Sequence, residues 1–286
     1  MEMLYTLPPN NFCGMEDSKY ENSKLVVFPV PFDSTAFYRP GSRNGPAAII
    51  EASRNMEVYD IELQADPSRM GIHTLEYLEP CRGDVEETIR RVEDVEKQLL
   101  VDSKIPVILG GEHSVTAGAL EAFDKGVDVL QIDAHADLRN EFEGSKYGHA
   151  CVMRRVREKH NIVQVGIRSM SEEESEYVRK HDLNIHYGRK FNVDDVVSDL
   201  GKDIYISFDL DALDPSIMPA VGTPEPGGLL WDETLRLLKE VCEKKTVVGF
   251  DVVELCPIPG QIGSDFFASL LTYKIMGYIG KKRGWL

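Results

Sequence analysis

The stretch VDVLQIDAHADLRN, Val127 to Asn140, runs from apolar residues into Asp133, His135 and Asp137 at every second position. In an extended chain, alternate side chains point the same way, so these three groups converge at the end of a strand. Two carboxylates crowded together repel strongly unless a cation or a proton lies between them. The pattern therefore predicts a metal, with its remaining ligands drawn from elsewhere in the chain.

Working outward, the same kind of apolar run recurs. LVVFPV (25–30), PVILGG (106–111), IVQVG (162–166), LNIHY (183–187), DIYISFD (203–209) and TVVGFDV (246–252) all read as strands. Helical patterns separate several of them. In VEETIRRVEDVEKQLLV, residues Val85, Ile89, Val92, Val95 and Leu99 fall at helical spacing, with charge on the other face. DETLRLLKEVCEKK (232–245) behaves likewise, and FFASLLTYKIMGYIG (266–280) reads as a buried helix rather than a membrane span. Alternation of this kind predicts an α/β fold, a mainly parallel sheet covered by helices on both faces. No repeat or linker-like tract interrupts it, so a single domain over 1–286 is the economical reading, with GTPEPGG (222–228) as a loop.

Polar groups gather where the apolar runs end, the side of a parallel sheet on which ligand sites form. His113 follows the second run. Asp209, Asp211 and Asp214 follow DIYISF, and Glu254 follows the last run. Unpaired buried carboxylates are strongly unfavourable, so this is a costly way to build a core. Asp214 reads as a turn residue rather than a ligand. The others combine into His113, Asp133, His135, Asp137, Asp209 and Asp211, from three strand ends. A structural zinc favours four ligands and usually cysteine. Six oxygen and nitrogen ligands suit two harder ions such as manganese, and two divalent cations neutralise four aspartates. Two ions would also lower the pKa of a shared water and hold a hydroxide as nucleophile.

Composition is compatible with this reading. The chain has 286 residues, 42% hydrophobic and 28% charged, as in ordinary soluble proteins. A net charge of −16 argues against a nucleic-acid partner and suits a cationic ligand or a solubilising acidic surface. Five scattered cysteines without a CxxC point to a reducing cytoplasm rather than a disulfide scaffold. MEMLYTLPPN (1–10) has neither a basic start nor a long apolar stretch, so no signal peptide is expected.

GGEHS, DAHAD, SFDLDALDPS and GTPEPGG, in that order, resemble the ureohydrolases, the arginase and agmatinase family, over about residues 30 to 257. The resemblance implies a single α/β/α domain of the arginase/deacetylase-like kind and a dimanganese site. It implies that His113 and Asp137 bind one ion and His135 and Asp211 the other, with Asp133 and Asp209 bridging. It also implies that His149 in KYGHACVMRR protonates the departing amine and that Glu254 pairs with the substrate guanidinium. The implied assembly is a homo-oligomer, a trimer or hexamer.

Within the family the chain is closer to agmatinases. LRNEFEGSKYGHA replaces the serine-glycine-asparagine loop with which arginases hold an α-carboxylate, and Glu225 stands where arginases have apolar residues. Glu141 and Glu143 would repel a carboxylate and tolerate an amine-bearing tail. The expected reaction is hydrolysis of agmatine to putrescine and urea by a metal-bridging hydroxide. Ala150 and Cys151 depart from the His-Gly-Thr pattern of agmatinases, which keeps aminopropylagmatine, guanidinobutyrate and arginine as alternatives. Arg139, Arg154 and Arg155 are the first suspects for holding an acidic tail. A single-zinc deacetylase would need paired catalytic histidines, and no His-His dipeptide occurs. A non-enzymatic metal-binding protein would be expected to lack one ligand, and none is missing.

Overall fold

The computed structural model describes residues 7–16 and 18–286; the leader expectation for 1–10 falls largely on residues 1–6, outside the described residues. Among the described residues, eight strands form one sheet: β1 (Leu25–Val30), β2 (Ile72–Thr74), β3 (Ile105–Gly110), β4 (Val127–Ile132), β5 (Ile162–Ile167), β6 (Asn184–Tyr187), β7 (Asp203–Asp209) and β8 (Thr246–Val253). Their order is β2-β1-β3-β8-β7-β4-β5-β6, and every pairing among them is parallel. The apolar runs mark seven of these strands. β2 escapes the pattern because it is three residues long, lies at the sheet edge and pairs only with β1.

The helices are α1 (Gly45–Ser53), α2 (Val85–Val101), α3 (Val115–Glu121), α4 (Val152–Val156), α5 (Glu172–His181), α6 (Val193–Asp199), α7 (Trp231–Lys244) and α8 (Gly263–Arg283). They split between the two faces because strand side chains alternate. Leu25 and Val27 of β1, Ile204 and Ile206 of β7, and Phe250 of β8 pack with Ile49, Leu237, Leu238 and Leu271 of α1, α7 and α8. On the other face Val30, Ile108, Val129 and Tyr205 pack with Ile89 and Val92 of α2, Val115 of α3 and Val178 of α5. The result is three layers, α/β/α, as expected. α8 is the buried helix read from the sequence, and no helix among the described residues is long and apolar enough to cross a membrane.

Chain order places the site. β3 lies on one side of the sheet centre and β4 on the other; β7 and β8 return late to fill the gap between them. The carboxyl ends of β3, β8, β7 and β4 thus stand side by side, and the segments leaving all four carry the polar residues read from the sequence. This is where parallel sheets form ligand sites.

Candidate metal centre

The six expected ligands meet at one spot. Nδ1 of His113 lies 3.1 Å from Asp133 Oδ2, 3.1 Å from Asp137 Oδ2 and 3.3 Å from Asp209 Oδ2. Nδ1 of His135 lies 2.8 Å from Asp211 Oδ2 and 3.7 Å from Asp133 Oδ1. Donor atoms of His113, Asp133 and Asp209 fall within 4.8 Å of one another, as do those of Asp133, His135 and Asp211. Asp133 is common to both sets, the position a bridging ligand needs.

The DxHxD and DxD spacings have a local cause. A carboxylate at the end of a strand can accept from the amide two residues on. Asp133 Oδ1 accepts from His135 N at 2.6 Å, and Asp209 Oδ1 from Asp211 N at 2.8 Å. Asp211 Oδ1 accepts from Ala134 N at 3.0 Å, tying the β7 loop to the β4 loop. These bonds leave Asp209 Oδ2 toward His113 and Asp211 Oδ2 toward His135. Asp137 reaches the cluster with φ 53° and Glu254 stands beside it with φ 66°, a left-handed backbone that costs about 1–3 kcal/mol per residue.

Electrostatics fit a cation. Burial, then the neighbouring Asp211 and Asp137 carboxylates, push Asp133 up to about 7. Burial and the same kind of repulsion raise Asp209 well above the ordinary range. Burial opposes protonation of His135, yet the Asp211 carboxylate pushes it up to about 11. The crowded acids thus hold protons unless another positive charge takes their place. Nδ1 of His113 is buried and, among the described residues, has no hydrogen-bond partner of acceptable geometry, although three carboxylates surround it. Its Nε2 lies 2.8 Å from Ser207 Oγ, which itself donates to Asp251 Oδ1 at 2.9 Å. Ser207 has one proton and gives it to Asp251, so Nε2 must be the protonated ring nitrogen in neutral imidazole. Nδ1 then carries a lone pair aimed among carboxylate oxygens, the arrangement a metal ligand requires. The donor set therefore fits divalent ions.

His149 and Glu254 line the cavity above this cluster, together with Phe37, Tyr38, Arg39, Arg139, Phe142, Glu174 and Glu225; its volume is about 320 Å³. Glu254 Oε1 accepts from His113 N at 2.8 Å, and burial followed by the nearby Glu112 carboxylate pushes it up to about 8. Glu225 Oε1 lies 3.8 Å from His135 Nε2. Asp214 stays outside, accepting from Ser216 N, Gly227 N and Gly228 N, the turn role read from the sequence. Glu141 and Glu143 are exposed and do not line the cavity; Phe142 between them does. Phe142 bridges to Ser145 and Glu143 sits in the turn between them at φ 48°, so the two acids face solvent; beyond the clustered aspartates and Glu254, the acids lining the cavity are Glu225 and Glu174. Among the suspected arginines only Arg139 lines it. Arg154 stacks on Tyr177 at 3.4 Å and Arg155 pairs with Glu158 at 2.9 Å.

The model of the arginase family matches residues 23–277. The chain belongs to the arginase family. It is 40% identical over 282 residues to the N(1)-aminopropylagmatine ureohydrolase of Thermus thermophilus, covering 96% of each chain. It is 34% identical over 269 residues to the agmatinase of Pyrococcus horikoshii, covering 91% of this chain and 92% of the relative. Its structure aligns with the agmatine ureohydrolase of Thermoplasma volcanium at a TM-score of 0.90 and 36% identity, over 97% of this chain and 96% of that one. This member of the family is accordingly a ureohydrolase, an enzyme acting on guanidino groups.

Several buried polar residues of this arginase-family chain went unread in its sequence. Gln131 donates to Asp133 Oδ2 at 2.6 Å, and Gln164 donates to Ala136 O at 2.8 Å. Ser207 and Asp251 hold His113, with Thr116 donating to Asp251 at 2.9 Å. Glu96 of α2 is buried with both oxygens unpartnered among the described residues, and burial followed by the Asp251 charge raises it well above the usual range. A signal existed: Gln131 and Ser207 are polar residues in apolar strands, each two positions before an aspartate of the site and hence on the same face.

Proposed function

We propose that this ureohydrolase cleaves the guanidinium of a polyamine-type substrate, releasing urea and an amine, with N(1)-aminopropylagmatine preferred, agmatine second and arginine far behind. Glu225 carries the reading. Its carboxylate opens into the cavity beside His135, and among the described residues it has no Lys or Arg within 4.0 Å. A cationic tail supplies the missing partner, whereas the α-carboxylate of arginine meets another acid. Glu174 adds a second carboxylate, though it is largely engaged, accepting from Leu138 N at 2.9 Å and Ser171 N at 2.7 Å. Phe37, Tyr38 and Phe142 offer faces along which an alkyl-ammonium chain packs. The relative named N(1)-aminopropylagmatine ureohydrolase is 40% identical and the one named agmatinase 34%, which moves the aminopropyl form ahead of agmatine.

His113, Asp133, His135, Asp137, Asp209 and Asp211 would hold two divalent ions, manganese by the hardness of the donors. Such a pair acidifies water and supplies a nucleophile at neutral pH. Glu254 would accept hydrogen bonds from the guanidinium and so orient its carbon over the cluster. His149 would give a proton to the departing amine, because the amine leaves far more readily as a neutral molecule than as an anion. The test is urea release with manganese from N(1)-aminopropylagmatine, agmatine, arginine and guanidinobutyrate. An uncompensated carboxylate costs several kcal/mol, so kcat/KM for arginine should fall at least about 10²-fold below the best substrate. Arginine at parity defeats the proposal. Guanidinobutyrate in front would assign Arg139 to an acidic tail.

A further inference from the structure

The loop after β1 carries a hydroxyl that the roles given above leave unused. Glu112 is completely buried between Gly111 and His113. Its Oε2 accepts from Thr35 N at 2.7 Å, and its Oε1 accepts from Thr35 Oγ1 and Ser114 Oγ, each at 2.5 Å. Thr35 Oγ1 faces His149 on its other side, 3.2 Å from the backbone nitrogen and 3.4 Å from the ring Nδ1.

We propose that Thr35 and Glu112 are positioning residues for His149: they fix its ring orientation and its tautomer, so that Nε2 is the nitrogen that exchanges a proton with the substrate. The inference rests on the reading of His149 as proton donor. A threonine hydroxyl has one proton, and a carboxylate can only accept. With that proton given to Glu112, Thr35 Oγ1 meets His149 as an acceptor alone. The ring can then approach it only as Nδ1–H. In the neutral ring Nε2 is left bare; in the cation, Nε2–H is the proton free to leave. The chain Glu112–Thr35–His149 thus does through a hydroxyl what a carboxylate does directly when it orients a catalytic histidine.

Two further contacts suit this role better than a simple loop tie. A Cβ on Gly148 would lie 3.2 Å from Thr35 Oγ1, so the absence of a side chain lets the His149 backbone come down onto the hydroxyl. The Phe142 ring stands edge-on to the imidazole, 6.0 Å between centroids at 90°. The ring is held from two directions, and the Nδ1 edge is the one facing Thr35.

The experiment is a double-variant cycle in the manganese-loaded enzyme, with metal content as the check on integrity. Thr35→Val should lower kcat about 10-fold or more, change KM less than about threefold and keep its manganese. Thr35→Ser keeps the hydroxyl and should recover most of the loss. Thr35→Val added to His149→Asn should cost nothing further, since it acts through that ring. Penalties that multiply, a loss carried in KM, or a wild-type rate for Thr35→Val overturn the proposal while leaving His149 as donor. A wild-type rate for His149→Asn removes the donor and the proposal together. The tautomer can be read without disturbing the loop, by ¹⁵N NMR of the histidines in zinc-loaded protein, with His149→Asn to assign the signal. A proton on Nδ1 is expected. The opposite neutral tautomer overturns the proposal whatever the variants do.

Discussion

At the residue scale, the cluster turns on how few groups serve several purposes. Asp133 alone belongs to both donor sets, and it is held by Gln131 and the His135 amide. Asp133→Ala should therefore abolish binding at both positions, whereas Asp137→Ala should weaken only the position nearest His113. Metal analysis after manganese loading decides this; retention of one full equivalent by Asp133→Ala would refute the shared role. Ser207→Ala removes the acceptor that fixes the His113 ring, and losses of that kind cost about 10–100-fold in metal affinity. A competition titration with a chromogenic chelator measures it. His149 is different in kind: it lines the cavity and stands apart from the donor sets. His149→Asn should keep its manganese and slow turnover by about 10²-fold or more, the usual range for a general acid. An unchanged rate would make it an ordinary loop histidine.

At the element scale, what was legible follows from periodicity. The apolar strands and amphipathic α2 and α7 announce themselves because burial on one or both faces dictates residue type along the whole element. The six clustered residues were legible for the same reason, since acids and histidines closing an apolar strand contradict its pattern. Edge strand β2 is too short to show a period. Glu225 stood out in the sequence only through its resemblance to the agmatinase motif, and its place in the cavity depends on Arg168, which donates to the Glu225 carbonyl at 2.7 Å. Such loop-to-loop bonds leave no periodic trace. Thr35 lay hidden for the same reason, in a turn between β1 and α1. The connection after β3 shows how tightly an element can fix a site. A Cβ on Gly111 would lie 2.0 Å from Phe32 O, a backbone atom with nowhere to go, while Glu112 N donates to that same oxygen at 2.7 Å. Gly111→Ala must displace the turn that delivers Glu112 and His113. It should destabilise the protein by at least about 1–3 kcal/mol, the cost of overpacking, and weaken metal binding as well. Urea denaturation with and without manganese tests both; wild-type stability would mean that the turn yields without cost.

At the scale of the whole molecule, the sheet spends stability to hold its acids together, and pH reveals that cost. Without metal, Asp133 titrates near 7 and Glu254 near 8, both above their ordinary values, and His135 near 11. Burial and repulsion raise the two acids, and the Asp211 carboxylate raises the histidine against its burial. Each folded group keeps its proton to a higher pH than the unfolded chain does, the acids from about pH 4 and His135 from about 6.5. Such groups contribute stability below their unfolded pKa and lose it as pH rises through the folded one. Asp211 goes the other way, but its window lies below pH 4. The metal-free protein should therefore lose stability from about pH 4 upward, through the two acids to about 8 and through His135 from about 6.5 to 11, the reverse of the usual acid denaturation. A divalent cation held there would replace those protons, so manganese affinity should climb over the same range. Thermal unfolding at pH 5, 6.5 and 8, with manganese and with chelator, measures the difference. The gap in Tm between loaded and stripped protein should widen with each step upward in pH. A constant gap would mean that the cluster keeps its acids charged without help, and that the cation is not what balances it.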